Sequence, residues 1–175
     1  MLRISLMVKV ALAASCAGLL GACAGTDLNP VASLSASNAF APSGYSETKV
    51  SDTQYQVNAT GTEATPKTRI EKIARARAAQ IAVEQKMNFY KVASVAYGVK
   101  CTKGQALYKG GSTADGARQT VQLDVLYAKE PADEGYVSAK ESFETLSAEL
   151  TSETIPPEAK TQAEQEARAG CGQAI

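Results

Sequence analysis

Histidine and tryptophan are absent from this 175-residue chain, and only 6% of its residues are aromatic. Histidine is the commonest general base, the commonest metal ligand and the usual switch near neutral pH, so its absence weighs against most enzymes and metalloproteins. An excess charge of one sign is missing as well, with 18 basic and 18 acidic residues. Nucleic-acid binding therefore has no electrostatic support, and we expect a protein that is not an enzyme and holds no metal or cofactor.

A hydrophobic run long enough to span a membrane is also lacking. The uncharged stretch from Val10 to Leu20 is about half of the ~20 residues that a spanning helix needs. It follows Arg3 and Lys9 and is itself followed by small residues. This arrangement is typical of a secretory signal, which we predict over residues 1–22.

The four positions from Leu20 to Cys23 resemble the bacterial lipobox. The resemblance implies that small residues admit a signal peptidase and that the thiol of Cys23 accepts a diacylglycerol. Two or three acyl chains, such as palmitate, would then hold the protein on a lipid bilayer, each buried methylene contributing about 0.8 kcal/mol. Ala24 stands where an aspartate would retain a lipoprotein at the inner membrane, which favours the periplasmic face of the outer membrane.

The rest of the chain divides by composition into three parts. Removal of 22 of the 175 residues leaves 153, enough for one domain with a modest core. Residues 23–43 are rich in Ala, Ser, Asn, Gly and Pro and are expected to form the lipidated cysteine and a flexible tether. Residues 44–150 are expected to form an α+β domain, and residues 151–175 a polar tail whose helix has no apolar face with which to pack.

Hydrophobic periodicity predicts the elements of the domain. Alternation indicates strands, and spacing of three and four residues indicates helices. The predicted elements are a strand or hairpin half from Tyr45 to Thr60, a helix capped by Thr65 and running from Pro66 to about Met87, strands from Phe89 to Cys101 and from Gln119 to Lys129, a glycine-rich hairpin loop from Lys103 to Ala117, and a helix from Val137 to Leu150. Together they predict a two-layer α+β sandwich with a three- or four-stranded sheet, one long crossover helix and a short closing helix.

Arg77 falls on the apolar stripe of the long helix, seven residues after Ile70 and four before Ile81. A buried arginine without a partner costs several kcal/mol, so its side chain must find an acceptor. One interpretation is that the guanidinium pairs with a nearby carboxylate or carbonyl group. The other is that it binds a ligand.

Cys101 and Cys171 are the two cysteines left after signal removal and lipidation, in an oxidising compartment. An intramolecular disulfide, an intermolecular disulfide and two free thiols all remain open at this stage. An intramolecular bridge would close a loop of about 70 residues and contribute about 4 kcal/mol in the chain-entropy model.

Several short motifs in order resemble a family of small lipoproteins of alphaproteobacteria. They are the start Gly44-Tyr45-Ser46-Glu47, the helix core Arg77-Ala78-Ala79, the aromatic pair Phe89-Tyr90 and the segment from Tyr136 to Glu141. The likeness covers roughly residues 44–150. The family carries no established activity, so the resemblance implies a lipoprotein and nothing about chemistry.

Two hypotheses for function follow. The first is a cell-envelope lipoprotein that serves as a non-enzymatic interaction or structural module, with an envelope protein as its partner. The second is an envelope stress or redox sensor that depends on the Cys101 and Cys171 pair.

Overall fold

The computed structural model describes residues 31–39, 41–104, 116–131 and 133–173. The signal, Cys23 and most of the glycine-rich loop lie outside these ranges. The described elements in chain order are β1 (Gly44–Ser51), β2 (Gln54–Thr60), α1 (Lys67–Glu84), β3 (Phe89–Thr102), β4 (Gly116–Ala128), β5 (Val137–Ser138), α2 (Ala139–Ser152) and α3 (Pro157–Gly170).

The strands form one antiparallel sheet in the order β1-β2-β4-β3-β5. Strands β2 and β3 both run antiparallel to β4, so they are parallel to each other. Helix α1 connects them across the sheet, with β4 inserted between the two strands. The predicted two-layer α+β fold, with α1 as the long crossover helix and α2 as the closing helix, is therefore confirmed.

The sheet has five strands rather than three or four. The segment predicted as one strand or hairpin half is the complete β1–β2 hairpin, with Asp52 and Thr53 at its turn. Strand β1 lies at the sheet edge, where most of its side chains are exposed, so it shows no hydrophobic alternation. Strand β5 has only two residues, too few to produce a periodic signal.

The core lies between α1 and the alternating side chains of β2 and β4. The small alanines of α1 let the helix approach the sheet closely, while Ile70, Ile73 and Ile81 fill the space beneath it. Burial of each isoleucine contributes about 1.5–3 kcal/mol. The hydroxyl of Tyr127 donates a hydrogen bond to the carbonyl oxygen of Ala78 over 3.1 Å, and burial raises its pKa.

The start of α1 differs from the prediction. Pro66, not Thr65, occupies the cap position, and no side chain caps the helix there. The fully buried Thr65 hydroxyl instead accepts hydrogen bonds from the backbone N–H groups of Thr62 and Ala32, each over 2.9 Å. Thr65 therefore closes the turn before the helix and fixes a distant part of the chain.

That distant part is residues 31–39, called here the N-terminal segment. The prediction of a flexible tether up to residue 43 is wrong for this segment. The Ala32 side chain is 2% exposed, and Ser35 and Ser37 exchange backbone hydrogen bonds with Tyr45 of β1. Its scattered apolar residues gave no helical or strand periodicity, because the segment is held by individual contacts and a single parallel bridge between Ala36 and Tyr45.

The predicted polar tail also packs. Helix α3 lies against β4, with Ala163 and Ala167 buried. Gly170 approaches β3 so closely that a Cβ atom added there would lie 2.7 Å from Cγ2 of Val99. The prediction failed because alanine and glycine allow close packing without any large apolar residue.

Candidate functional site

Arg77 is held by two carboxylates. Its Nη2 atom lies 2.6 Å from Oε1 of Glu47 on β1, and its Nη1 atom lies 2.9 Å from Oε1 of Glu84 at the end of α1. Its guanidinium carbon lies 4.9 Å from the ring centroid of Tyr45, a cation–π contact. Burial alone would lower the pKa of Arg77, but the hydrogen bonds to both glutamates outweigh burial and raise the pKa.

The remaining guanidinium nitrogen of Arg77, Nε, also donates to Glu47, over 3.3 Å. All three nitrogens are therefore engaged within the chain. Of the two interpretations of Arg77, the structure supports pairing with carboxylates, which ties β1 to α1.

A second buried arginine, Arg69, went unnoticed in the sequence. Its Nε donates to the carbonyl oxygen of Ala32 over 2.9 Å, its Nη2 to that of Leu150 over 3.1 Å, and its Nη1 to Glu153 over 2.7 Å. Lys72 donates to the other oxygen of Glu153 over 2.8 Å. This cluster joins the N-terminal segment, α1 and the end of α2 at one point.

Cys101 and Cys171 form a disulfide, with their Cα atoms 5.7 Å apart. Of the three arrangements that the sequence left open, the structure shows the intramolecular bridge. It fastens the end of α3 to the end of β3. Helix α3 is further held where the Gln119 amide donates to the carbonyl oxygen of Ala163 and to Glu166, each over 3.2 Å.

The described helices cover only one face of the sheet. Helices α1 and α3 pack on the side of the buried β4 residues, while α2 packs on α1. No described element packs on the other side, called here the open face. Its central side chains are mostly small or polar and partly or fully exposed, while Leu126, opposite Gln54, is apolar; the small and polar ones are Gln54, Gln56, Asn58, Thr60, Thr120, Gln122, Asp124, Ser94 and Ala96.

Asp124 provides the carboxylate near the centre of the open face. The hydroxyl of Ser94 and the amide of Gln56 donate hydrogen bonds to its two oxygens. These bonds, that from Ser94 first, lower the pKa of Asp124, so it is ionised at neutral pH. The open face can therefore offer amides, hydroxyls and one fixed negative charge to a polar partner.

Two shallow surface hollows lie elsewhere, each of about 320 Å³. The first lies where α1 ends and α2 begins, between Lys86, Phe89 and Lys140. The second lies along α2 beside Thr145 and Leu146. In the described part of the chain, His, Cys, Asp and Glu form no group of three that could hold a metal ion.

Comparison with known proteins identifies no relative of this chain. No protein family, curated protein or solved structure matches this chain. None of the described helices is long and apolar enough to cross a membrane.

The sequence contains some indication of the buried Arg69 and of the position of Asp124, which sequence analysis did not single out. Arg69 is four residues before Ile73 and so shares its stripe, as Arg77 does. The alternation along β4 placed Asp124 on the face opposite the core. Which face the described helices leave open depends on where α1, α2 and α3 pack, and no local sequence pattern determines this.

Proposed function

We propose that this chain is a bacterial cell-envelope lipoprotein that acts as a non-enzymatic interaction or structural module. The observation that carries the proposal is the open face, a broad polar surface that the described helices leave uncovered. The lipobox-like sequence ending at Cys23 supports membrane attachment. The resemblance to small lipoproteins of alphaproteobacteria supports the same assignment.

The position of the N-terminal segment limits how far the domain can lie from its proposed anchor. Ala32 is docked by Thr65 and Arg69, so nine peptide units separate Cys23 from this docked residue. Nine peptide units span at most about 32 Å when fully extended. An anchored copy would therefore present the open face to a partner close to the membrane surface, which we place at the periplasmic side of the outer membrane.

Membrane attachment is tested by Cys23→Ala. We expect this variant to leave the membrane fraction, because the acyl chains that hold the protein are lost. Cys16→Ala is the matched control, since it removes a cysteine in the same leader, and this variant should remain with the membranes. A Cys23→Ala protein that still fractionates with membranes would contradict the proposed anchor.

The interaction role is tested by cross-linking in the envelope followed by recovery of the tagged, lipidated protein. Proteins recovered with the native chain should be lost with Gln122→Lys, which places a bulky charge at the centre of the open face. Glu144→Lys, on the exposed side of α2, is the matched control and should recover the same proteins. Equal recovery with both variants would exclude the open face as the binding surface.

The disulfide favours a second candidate, an envelope stress or redox sensor. Helix α3 is held to the sheet by the bridge and by few side chains, so reduction should release it while α1 stays folded. Hydrogen exchange measures this directly. Loss of protection in residues 157–170 on reduction, with α1 unchanged, is the expected result. Unchanged protection of α3 after complete reduction would remove the switch.

A further inference from the structure

Among the described strands, only the short β5 pairs with the outer edge of β3. Strand β5 pairs with it only at Phe89 and Tyr90, while β4 occupies the inner edge. Among the described residues, nothing pairs with the outer edge from Ser94 to Thr102. Exposed edges usually carry charges, prolines or β-bulges that prevent pairing, but the stretch from Ser94 to Val99, beyond the irregularity at Ala93, contains none of these. Tyr97, in its middle, is 52% exposed.

The charges beside this edge are arranged asymmetrically. Lys100 lies directly opposite Arg118 on the open face, and like charges in such cross-strand positions repel each other. Neither has an ion-pair partner among the described residues. At the other end of the edge, Ser94 lies opposite Asp124, whose carboxylate has hydrogen-bond donors but no described cationic partner. The edge therefore has a positive end and a negative end.

We propose that the outer edge of β3 pairs antiparallel with the same edge of a second copy of this chain. A two-fold axis through Tyr97 sets Ser94 of each copy opposite Lys100 of the other. The positive end of one copy then lies beside Asp124 of the other, at both ends of the interface. This charge complementarity favours a second copy of the chain as the partner. In the resulting dimer the two sheets form one continuous sheet.

The remaining pairs in this register are compatible on both faces. On the helix side, Val95 of one copy faces Val99 of the other, and the two Tyr97 side chains meet at the axis. Cross-strand pairs of β-branched and aromatic residues stabilise sheets. On the open side, Ala96 faces Gly98, so neither copy hinders the close approach of the other.

The arrangement of charges allows a test of the proposed dimer. The protein used is residues 24–175, which include every described residue. In sedimentation equilibrium, Lys100→Glu should weaken dimerisation about tenfold, because carboxylates then meet at both ends of the interface. Asp124→Lys should weaken it similarly, because cations then meet. An equimolar mixture of the two variants should recover the native affinity, since opposite charges face each other again at both ends.

Lys49→Glu is the matched control, because the 52% exposed side chain of Lys49 lies on β1, at the opposite edge of the sheet. It should leave dimerisation unchanged, and circular dichroism with thiol titration checks that every variant is folded with its disulfide intact. A native chain that stays monomeric at about 1 mM would overturn the proposal. So would a mixture that binds no more tightly than the single variants, or an edge that captures only unrelated extended peptides.

Discussion

Two arginines eight residues apart on α1 connect separate parts of this molecule. Arg69 joins the N-terminal segment and the end of α2, whereas Arg77 joins β1 and the end of α1. A buried arginine is stable only when acceptors satisfy its donors, so each position depends on several distant elements being in place. The burial of these two side chains therefore depends on tertiary structure more than on the helix to which they belong.

Replacement of Arg69 should destabilise the fold strongly. Its side chain is only 7% exposed, and Arg69→Met removes three hydrogen bonds and leaves carbonyl oxygens without donors. We expect a loss of about 3–5 kcal/mol in the free energy of unfolding, measured by urea denaturation. Arg75→Met removes the partly exposed i,i+4 pair with Glu71 and should cost about 1 kcal/mol or less. Equal losses for the two variants would contradict the role assigned to Arg69.

The same cluster predicts a pH dependence. Burial raises the pKa of Glu153, but hydrogen bonds from Lys72 and Arg69 outweigh it, so the pKa lies below its ordinary value of 4.5. The stabilisation is therefore fully present above pH 4.5 and is lost as the pH falls through the lower pKa of the folded protein. Glu153→Gln should flatten the stability profile below that pH. A profile parallel to that of the native chain would show that Glu153 is not responsible.

The sequence could locate Arg77 but not Arg69, for a physical reason. Arg77 lies in the middle of the apolar stripe, where burial is expected. Arg69 lies in the first turn of α1, where exposed side chains are common, and its acceptor at Ala32 belongs to a segment whose composition resembles a tether. The sequence identifies Cys101 and Cys171 as the two available cysteines. Whether they lie close enough to form a disulfide depends on how α3 packs, which the sequence does not show.

At the scale of elements, the N-terminal segment and α3 both pack without an amphipathic pattern. The N-terminal segment relies on backbone hydrogen bonds and on Thr65, and α3 relies on two alanines, Gln119 and the disulfide. Periodicity predicts elements that bury a continuous apolar stripe. It identified α1, α2 and β4 for that reason and treated these two segments as peripheral.

Gly44 provides a test of the docked N-terminal segment. Its φ of +119° is unfavourable for other residues, and a Cβ atom there would overlap the carbonyl oxygen of Ser35. Gly44→Ala should therefore cost at least about 2 kcal/mol and should expose residues 31–39 to hydrogen exchange. Gly172→Ala, at a φ of +67° with open space around it, should cost only about 1 kcal/mol. Retained protection of residues 31–39 in Gly44→Ala would contradict the docking.

At the scale of the whole molecule, the two faces of the sheet differ in what covers them. The sequence predicted the two-layer architecture, because β2 and β4 alternate and α1 carries one long apolar stripe. It could not predict five strands, since most of β1 is exposed and β5 has only two residues. The open face follows from the packing of three helices and is the feature from which we infer an interaction role.

Photo-cross-linking in the envelope tests that role most directly. A photoreactive amino acid at position 122, where Gln122 lies between Asn58 and Ala96 on the open face, should give an adduct with a distinct envelope protein. The same group at position 144, on the exposed side of α2, should give none. An adduct from position 144 alone, or no adduct from position 122 in the lipidated protein, would contradict an interaction module that binds through its open face.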